Sequence, residues 1–146
     1  MSTDYDQDLY TWSQEQAALL REGRFDQIDL THIIEEIEDM GRSERRALES
    51  RLETLLMHLL KWVYQPAYRG RSWRLTIAEQ RKRLHKHLRD NPGLKAKLPE
   101  ALADAYDFAR TRAERETGLA LETFPEHCPW TFEEFSNPEF WPDAPP

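Results

Sequence analysis

Apolar residues recur along this chain at helical spacing, and nowhere with the alternation of a strand. Leu30, Ile33, Ile34 and Ile37 stand at i, i+3, i+4 and i+7. Leu48, Leu52, Leu55, Leu56, Leu59, Leu60 and Val63 then make a wide apolar stripe. Asp29 predicts an N-cap for the first run, Gly41 a left-handed stop just past Met40, and Ser43 a restart. The pattern thus reads as a short helix followed by a long one. The long helix ends before Pro66, which pushes Gln65 out of helical geometry. Upstream, Asp4 predicts the cap of a first helix running to about Glu22, with Leu9, Trp12, Leu19 and Leu20 as its apolar positions and Gly23 as its end. Downstream, Ser72 predicts the cap of a helix carrying Trp73, Ile77, Leu84 and Leu88 as far as Asn91-Pro92-Gly93. Leu94 to about Glu116 reads as a further helix, with Pro99 tolerated in its first turns and Gly118 closing it. The expected fold is all-α: an antiparallel bundle of about four main helices plus one short helix, with the leucine stripe as its core.

The tail differs in kind. From Phe124 onward it mixes Pro125, Pro129, Pro138, Pro142, Pro145 and Pro146 with Phe124, Trp130, Phe132, Phe135, Phe140 and Trp141. A free linker is poor in aromatics. The expected organisation is a helical bundle over residues 1–123 and an extended arm over 124–146, packed in a groove of the bundle.

Composition narrows the class. The 146 residues allow one domain with a moderate core. A single cysteine rules out an internal disulfide framework and a cysteine-based zinc site. No apolar run approaches the ~18 residues that span a bilayer, and the opening Met1-Ser2-Thr3-Asp4 lacks a signal-peptide pattern, so a cytoplasmic, non-membrane protein is expected.

Charge is segregated along the chain. Residues 1–60 carry a net −8, residues 61–97 a net +9, and residues 98–146 a net −8. One reading is a nucleic-acid surface, with Arg69, Arg74, Arg81, Lys82, Arg83, Lys86 and Arg89 meeting phosphates. The other is pairing of a basic helix with acidic neighbours, each exposed pair worth only ~0–1 kcal/mol. The overall acidic balance favours the second.

Three groups of residues could carry chemistry. Glu35, Glu36, Glu38 and Asp39 crowd near His32 and invite a metal, yet no Glu-x-x-His occurs, and that pairing is what carboxylate-bridged di-metal bundles use. Glu38 borders the apolar stripe, where it can pair with an arginine. His127-Cys128 pairs a thiol with an imidazole, but a reactive thiol needs a lowered pKa and a positioned base. The densest set lies around a helix turn. There Glu38, His58, Trp62, Gln65, Arg71 and Trp73 form a candidate pocket, or else an aromatic plug with arginine stacked on tryptophan. No phosphate loop, catalytic triad order or zinc spacing is present, so no catalytic residue, metal or cofactor is assigned.

The same residues carry a likeness. Glu35-Glu36-Ile37-Glu38-Asp39-Met40-Gly41-Arg42-Ser43-Glu44, His58-Leu59-Leu60-Lys61-Trp62, Tyr64-Gln65-Pro66, Arg71-Ser72-Trp73 and Gln80-Arg81 resemble the DUF29 family of bacterial proteins. So do the opening Tyr5-Asp6-Gln7-Asp8 with Trp12, Glu116-Thr117-Gly118-Leu119, Cys128-Pro129-Trp130 and Phe140-Trp141-Pro142. The resemblance implies a compact helical domain and no particular activity. The leading expectation is therefore a non-enzymatic protein–protein interaction domain, a homodimer. Nucleic-acid binding through Arg69–Arg89 is the alternative, and a metal-dependent enzyme using Glu35, Glu38 or His58 comes second to that.

Overall fold

The computed structural model describes residues 3–143; Met1, Ser2 and Ala144 lie outside it, as do Pro145 and Pro146 of the expected arm. The described residues are all-α, with no strand. They form α1 (Leu9–Arg21), α2 (Leu30–Tyr64), α3 (Arg71–Asp90), α4 (Leu98–Thr117) and the single-turn α5 (Phe132–Phe135), joined by short 3-10 turns. The chain divides into two compact units between Glu44 and Arg45.

The fold class is as expected, but the helices are cut differently. Asp8, not Asp4, caps α1, its carboxylate accepting from the Thr11 N–H at 3.0 Å. Gly41 does not stop its helix, so the short and long helices expected on either side of it are one helix of 35 residues. Among the described residues only Gly23 and Gly118 have positive φ, at 74° and 77°, and these two do close α1 and α4 as expected. An interior glycine costs about 1 kcal/mol against alanine. Ending the helix there would instead orphan several backbone groups on each side. α3 starts behind Gly70 without a side-chain cap, which leaves Ser72 inside it. α4 follows a 3-10 turn over Pro92–Lys97, so Pro99 sits in its first turn, where its missing N–H is not needed.

The second unit holds the main core. Leu48, Leu52, Leu55, Leu56, Leu59 and Leu60 of α2 are 0% exposed. They pack in one cluster with Ile77 and Leu84 of α3 and with Ala101, Ala105, Ala109 and Ala113 of α4. The four alanines recur every fourth residue and give α4 a flat ridge for the leucines. Phe124, Trp130 and Phe135 of the tail belong to the same cluster. α5 is held by a capping box in which Thr131 and Glu134 each satisfy the other's backbone N–H.

What seats the tail is Arg81 of α3, which is 1% exposed. Its Nε donates to the Phe135 carbonyl at 2.8 Å, Nη1 to Pro138 at 3.4 Å and Nη2 to Phe140 at 2.6 Å. The guanidinium also lies 5.1 Å from the centre of the Trp141 ring. Burial pulls its pKa down to about 10, which still leaves a cation at neutral pH. Beside it, His85 Nε2 donates to the Ser136 carbonyl at 2.9 Å. Arg81→Leu therefore leaves the buried Phe135 carbonyl and the part-buried carbonyls of Pro138 and Phe140 without their donor, and denaturant unfolding should show a loss of about 3 kcal/mol or more. A loss below about 1 kcal/mol, the scale of one ordinary hydrogen bond, would mean that the tail is held by its aromatics alone.

Candidate functional site

The first unit, residues 3–44, is built with its polar side inward. Trp12 and Gln16 of α1 are its buried residues, each 3% exposed. Trp12 Nε1 donates to Asp29 Oδ2 at 3.0 Å, and the Asp29 N–H donates to Gln16 Oε1 at 2.7 Å. The Tyr5 ring stacks on His32 at 4.1 Å, and its hydroxyl donates to Glu36. His32 Nδ1 lies 2.7 Å from Asp29 Oδ2. That contact raises the His32 pKa and lowers that of Asp29, and the Glu36 carboxylate holds the Tyr5 phenol well above its usual range.

The apolar side of the same helix faces out. Leu30, Ile34, Ile37 and Met40 are 58, 47, 62 and 68% exposed. At 100° per residue they fall within one stripe about 120° wide. Leu9, Tyr10, Leu20 and Phe25 are exposed as well, so among the described residues eight of the eleven exposed large hydrophobic side chains lie before residue 41. The expected core face of this segment is therefore a surface. Its periodicity was readable, but its direction was not. The one sequence signal for the direction is the set of packing partners placed around the polar side, Tyr5 and Trp12 with Asp29, His32 and Glu36.

The candidate pocket residues are not gathered in one place. Glu38 is an exposed residue of the first unit and lies 3.9 Å from Arg42, a distant ion pair. The others belong to the second unit. His58 is half-buried and its Nδ1 donates to the Thr54 carbonyl at 2.8 Å, while burial lowers its pKa and keeps it neutral. Gln65 reaches the Thr117 carbonyl at 3.4 Å, and Arg71 is exposed. Lys61 sits 4.7 Å over the Trp73 ring and 3.8 Å from Glu116.

Trp62, only 6% exposed, is sandwiched. Trp141 lies 4.8 Å away, Arg69 4.9 Å and Arg74 5.9 Å from its ring. Arg69 Nε donates to the Trp62 carbonyl at 2.6 Å and its Nη2 to the Asp143 carbonyl at 3.0 Å, tying the turn to the tail. The arrangement is a cation–aromatic stack of the kind that closes a helix turn.

The basic set divides in the same way. Arg81 is consumed by the tail and cannot reach a phosphate, which removes it from the expected nucleic-acid contacts. Arg69 and Arg74 lie against Trp62. Lys82, Arg83, Lys86 and Arg89 are exposed, but Arg83 pairs with Glu79 at 2.9 Å and Lys86 with Asp90 at 2.6 Å. These pairs lie within α3, not across to an acidic helix. Interhelical pairs occur elsewhere in the unit, at Arg45–Glu100 (3.3 Å) and Arg112–Glu53 (2.9 Å).

A cleft of about 430 Å³ runs along α4, lined by Leu102, Tyr106, Asp107, Arg110, His127 and Cys128, among others. Cys128 Sγ donates to the Trp130 carbonyl at 3.3 Å, and burial pushes the thiol up to about 11. That is opposite to what a nucleophile needs. Among the described residues, no three His, Cys, Asp or Glu side chains gather as a metal site. Nor is any described helix long and apolar enough to cross a membrane.

A family model for a domain of unknown function, DUF29, matches residues 5–141. The chain belongs to that family. No curated protein and no solved structure matches it.

Two expected outcomes follow from these groups. With its pKa raised, His32 contributes stability that is complete below about pH 6.5 and lost as pH rises through its folded value. Asp29, held low, contributes fully above about pH 3.8 and loses this only in stronger acid. The first unit is thus tightest in mild acid, between these limits. The Trp12 indole N–H resonance should broaden or shift as pH rises past the His32 transition, and a flat titration would dissolve the link. Cys128 should react with iodoacetamide about a hundredfold more slowly in the folded chain than when unfolded, the ratio that a pKa of about 11 in place of 9.0 implies.

Proposed function

We propose that this chain is a non-enzymatic protein–protein interaction domain whose docking surface is the stripe Leu30, Ile34, Ile37 and Met40. The observation that carries the reading is the outward stripe: Asp29, His32 and Glu36 meet Tyr5 and Trp12 inside the first unit, while Leu30, Ile34, Ile37 and Met40 meet solvent. Contiguous exposed apolar side chains with a polar rim are what interaction surfaces look like, and the i, i+4, i+7, i+10 spacing suits a helix-binding groove.

The occupant is a second copy of the chain. Residues 1–44 carry twelve acidic and three basic side chains, so two such units set face to face would repel. The complementary surface is α3, where Arg71, Arg74, Lys82 and Arg89 are exposed around Leu75, itself 55% exposed. A two-fold pair that sets each first unit on the other chain's α3 satisfies both charge and apolar contact, and it closes on itself.

Light scattering and sedimentation across a concentration series should give a dimer that weakens as salt rises. Ile37→Glu should raise its dissociation constant by at least about tenfold, roughly 1.4 kcal/mol, as should Leu75→Glu on the opposite face. Both positions are exposed, so circular dichroism should be unchanged. A monomer at every concentration, or dimers indifferent to both substitutions, overturns the reading.

A further inference from the structure

Arg51 lies on the second half of α2, half-buried. Its Nε is fully buried and has no acceptor among the described residues. A buried guanidinium nitrogen without a partner is rare and calls for an explanation such as a bound ion. Arg51 opens on a cleft of about 190 Å³ whose other walls are Arg83, Lys86, His87 and Asp90. These four recur at i, i+3, i+4 and i+7, so they present one face of α3.

The charges in the cleft do not cancel. Arg51, Arg83 and Lys86 face a single wall carboxylate, Asp90, which is already taken by Lys86 at 2.6 Å. Arg83 is steadied from outside the cleft by Glu79 at 2.9 Å. Both α3 cations are thus held in position, and a lysine or arginine with one partner keeps further N–H groups to donate. Arg110 makes a useful contrast, because its Nε is equally buried and unpartnered. Its Nη2, however, already serves the carbonyls of Leu121 and Phe124 at 3.1 Å each, and its cleft contains Asp107 and Glu126. That cleft repels an anion, whereas the cleft at Arg51 attracts one.

We propose that the Arg51–Arg83–Lys86 cleft is a binding site for a phosphoryl group, either free phosphate or the head of a phosphate monoester. The guanidinium fork of Arg51 matches two phosphate oxygens, and Lys86 adds a point charge. The cleft is smaller than the ~300 Å³ at which pockets begin to enclose whole drug-sized ligands. It therefore takes the phosphoryl group and leaves the rest of an ester in solvent.

The test is calorimetric titration of the full chain at constant ionic strength with inorganic phosphate and, separately, with O-phosphoserine. Saturable one-to-one binding is expected. Arg51→Gln and Arg83→Gln should each weaken it by about tenfold or more, the scale of one lost charged hydrogen bond. Lys97→Gln, basic but outside the cleft, should leave it unchanged. Binding of phosphate alone marks the free ion as ligand, and binding of phosphoserine as well marks a site for phosphorylated groups. The exposed position of Arg83 keeps the test valid if Arg51→Gln fails to fold. Absence of saturable binding to either compound, or binding that survives the arginine substitutions, overturns the proposal.

Discussion

Both units of this chain are built on one helix, α2. α2 has 35 residues and the two long helices after it have 20 each. At 1.5 Å per residue that is about 52 Å against about 30 Å. Apolar residues stand on one side of α2 at Leu30, Ile34, Ile37 and Met40 and again from Leu48 to Val63, with Gly41, Glu44 and Arg45 between them. The second run is covered by α3, α4 and the tail, and its fully buried leucines contribute about 1.5–3 kcal/mol each. The first run is bare. Within the first unit these exposed apolar residues are unfinished packing, and function is most simply sought there.

The second organising contact is a cation in the core of the second unit. Arg81 is satisfied by carbonyl dipoles, which avoids the exacting geometry that a buried ion pair demands. Carbonyls can serve only where no helix uses them, as at the C-terminal end of α5 and in the irregular segment after it. The proline-rich character of residues 124–142 follows from this. Prolines keep the segment out of helix, aromatics anchor it in the leucine core, and the freed carbonyls of Phe135, Pro138 and Phe140 turn toward the guanidinium.

The sequence exposed the periodic part of this design and hid the rest for identifiable reasons. The stripe from Leu48 to Val63, the stops at Gly23 and Gly118 and the break at Pro66 depend on local chemistry and were legible. Gly41 misled because a glycine after an apolar turn suits both a helix stop and a helix interior. Only the continuation of the leucine period on the same side, beyond residue 41, separates the two. The outward turn of Leu30, Ile34, Ile37 and Met40 was hidden because an amphipathic helix has two faces, and the choice between them lies in Tyr5 and Trp12, far away in sequence. Arg81 looked like a phosphate contact because its neighbours Lys82 and Arg83 are exposed. Its carbonyl partners lie 54–59 residues away, and a backbone carbonyl has no signature in composition. The candidate pocket failed to gather for the same reason. Arg69, Arg74 and Trp141 do meet Trp62, but as a stack round its ring.

The tail's mode of attachment also bears on proteolysis. Beyond α4 the second unit holds only the single turn α5 of α-helix, and a cut just before residue 132 would leave α2, α3 and α4 covalently whole. It would also remove every acceptor of Arg81 and the ring beneath it, exposing a bare cation at the centre of the leucine cluster. A nick at the surface would thus act like a charge introduced into the core, so the integrity of a dozen residues decides whether the unit stays folded or becomes a substrate for proteases.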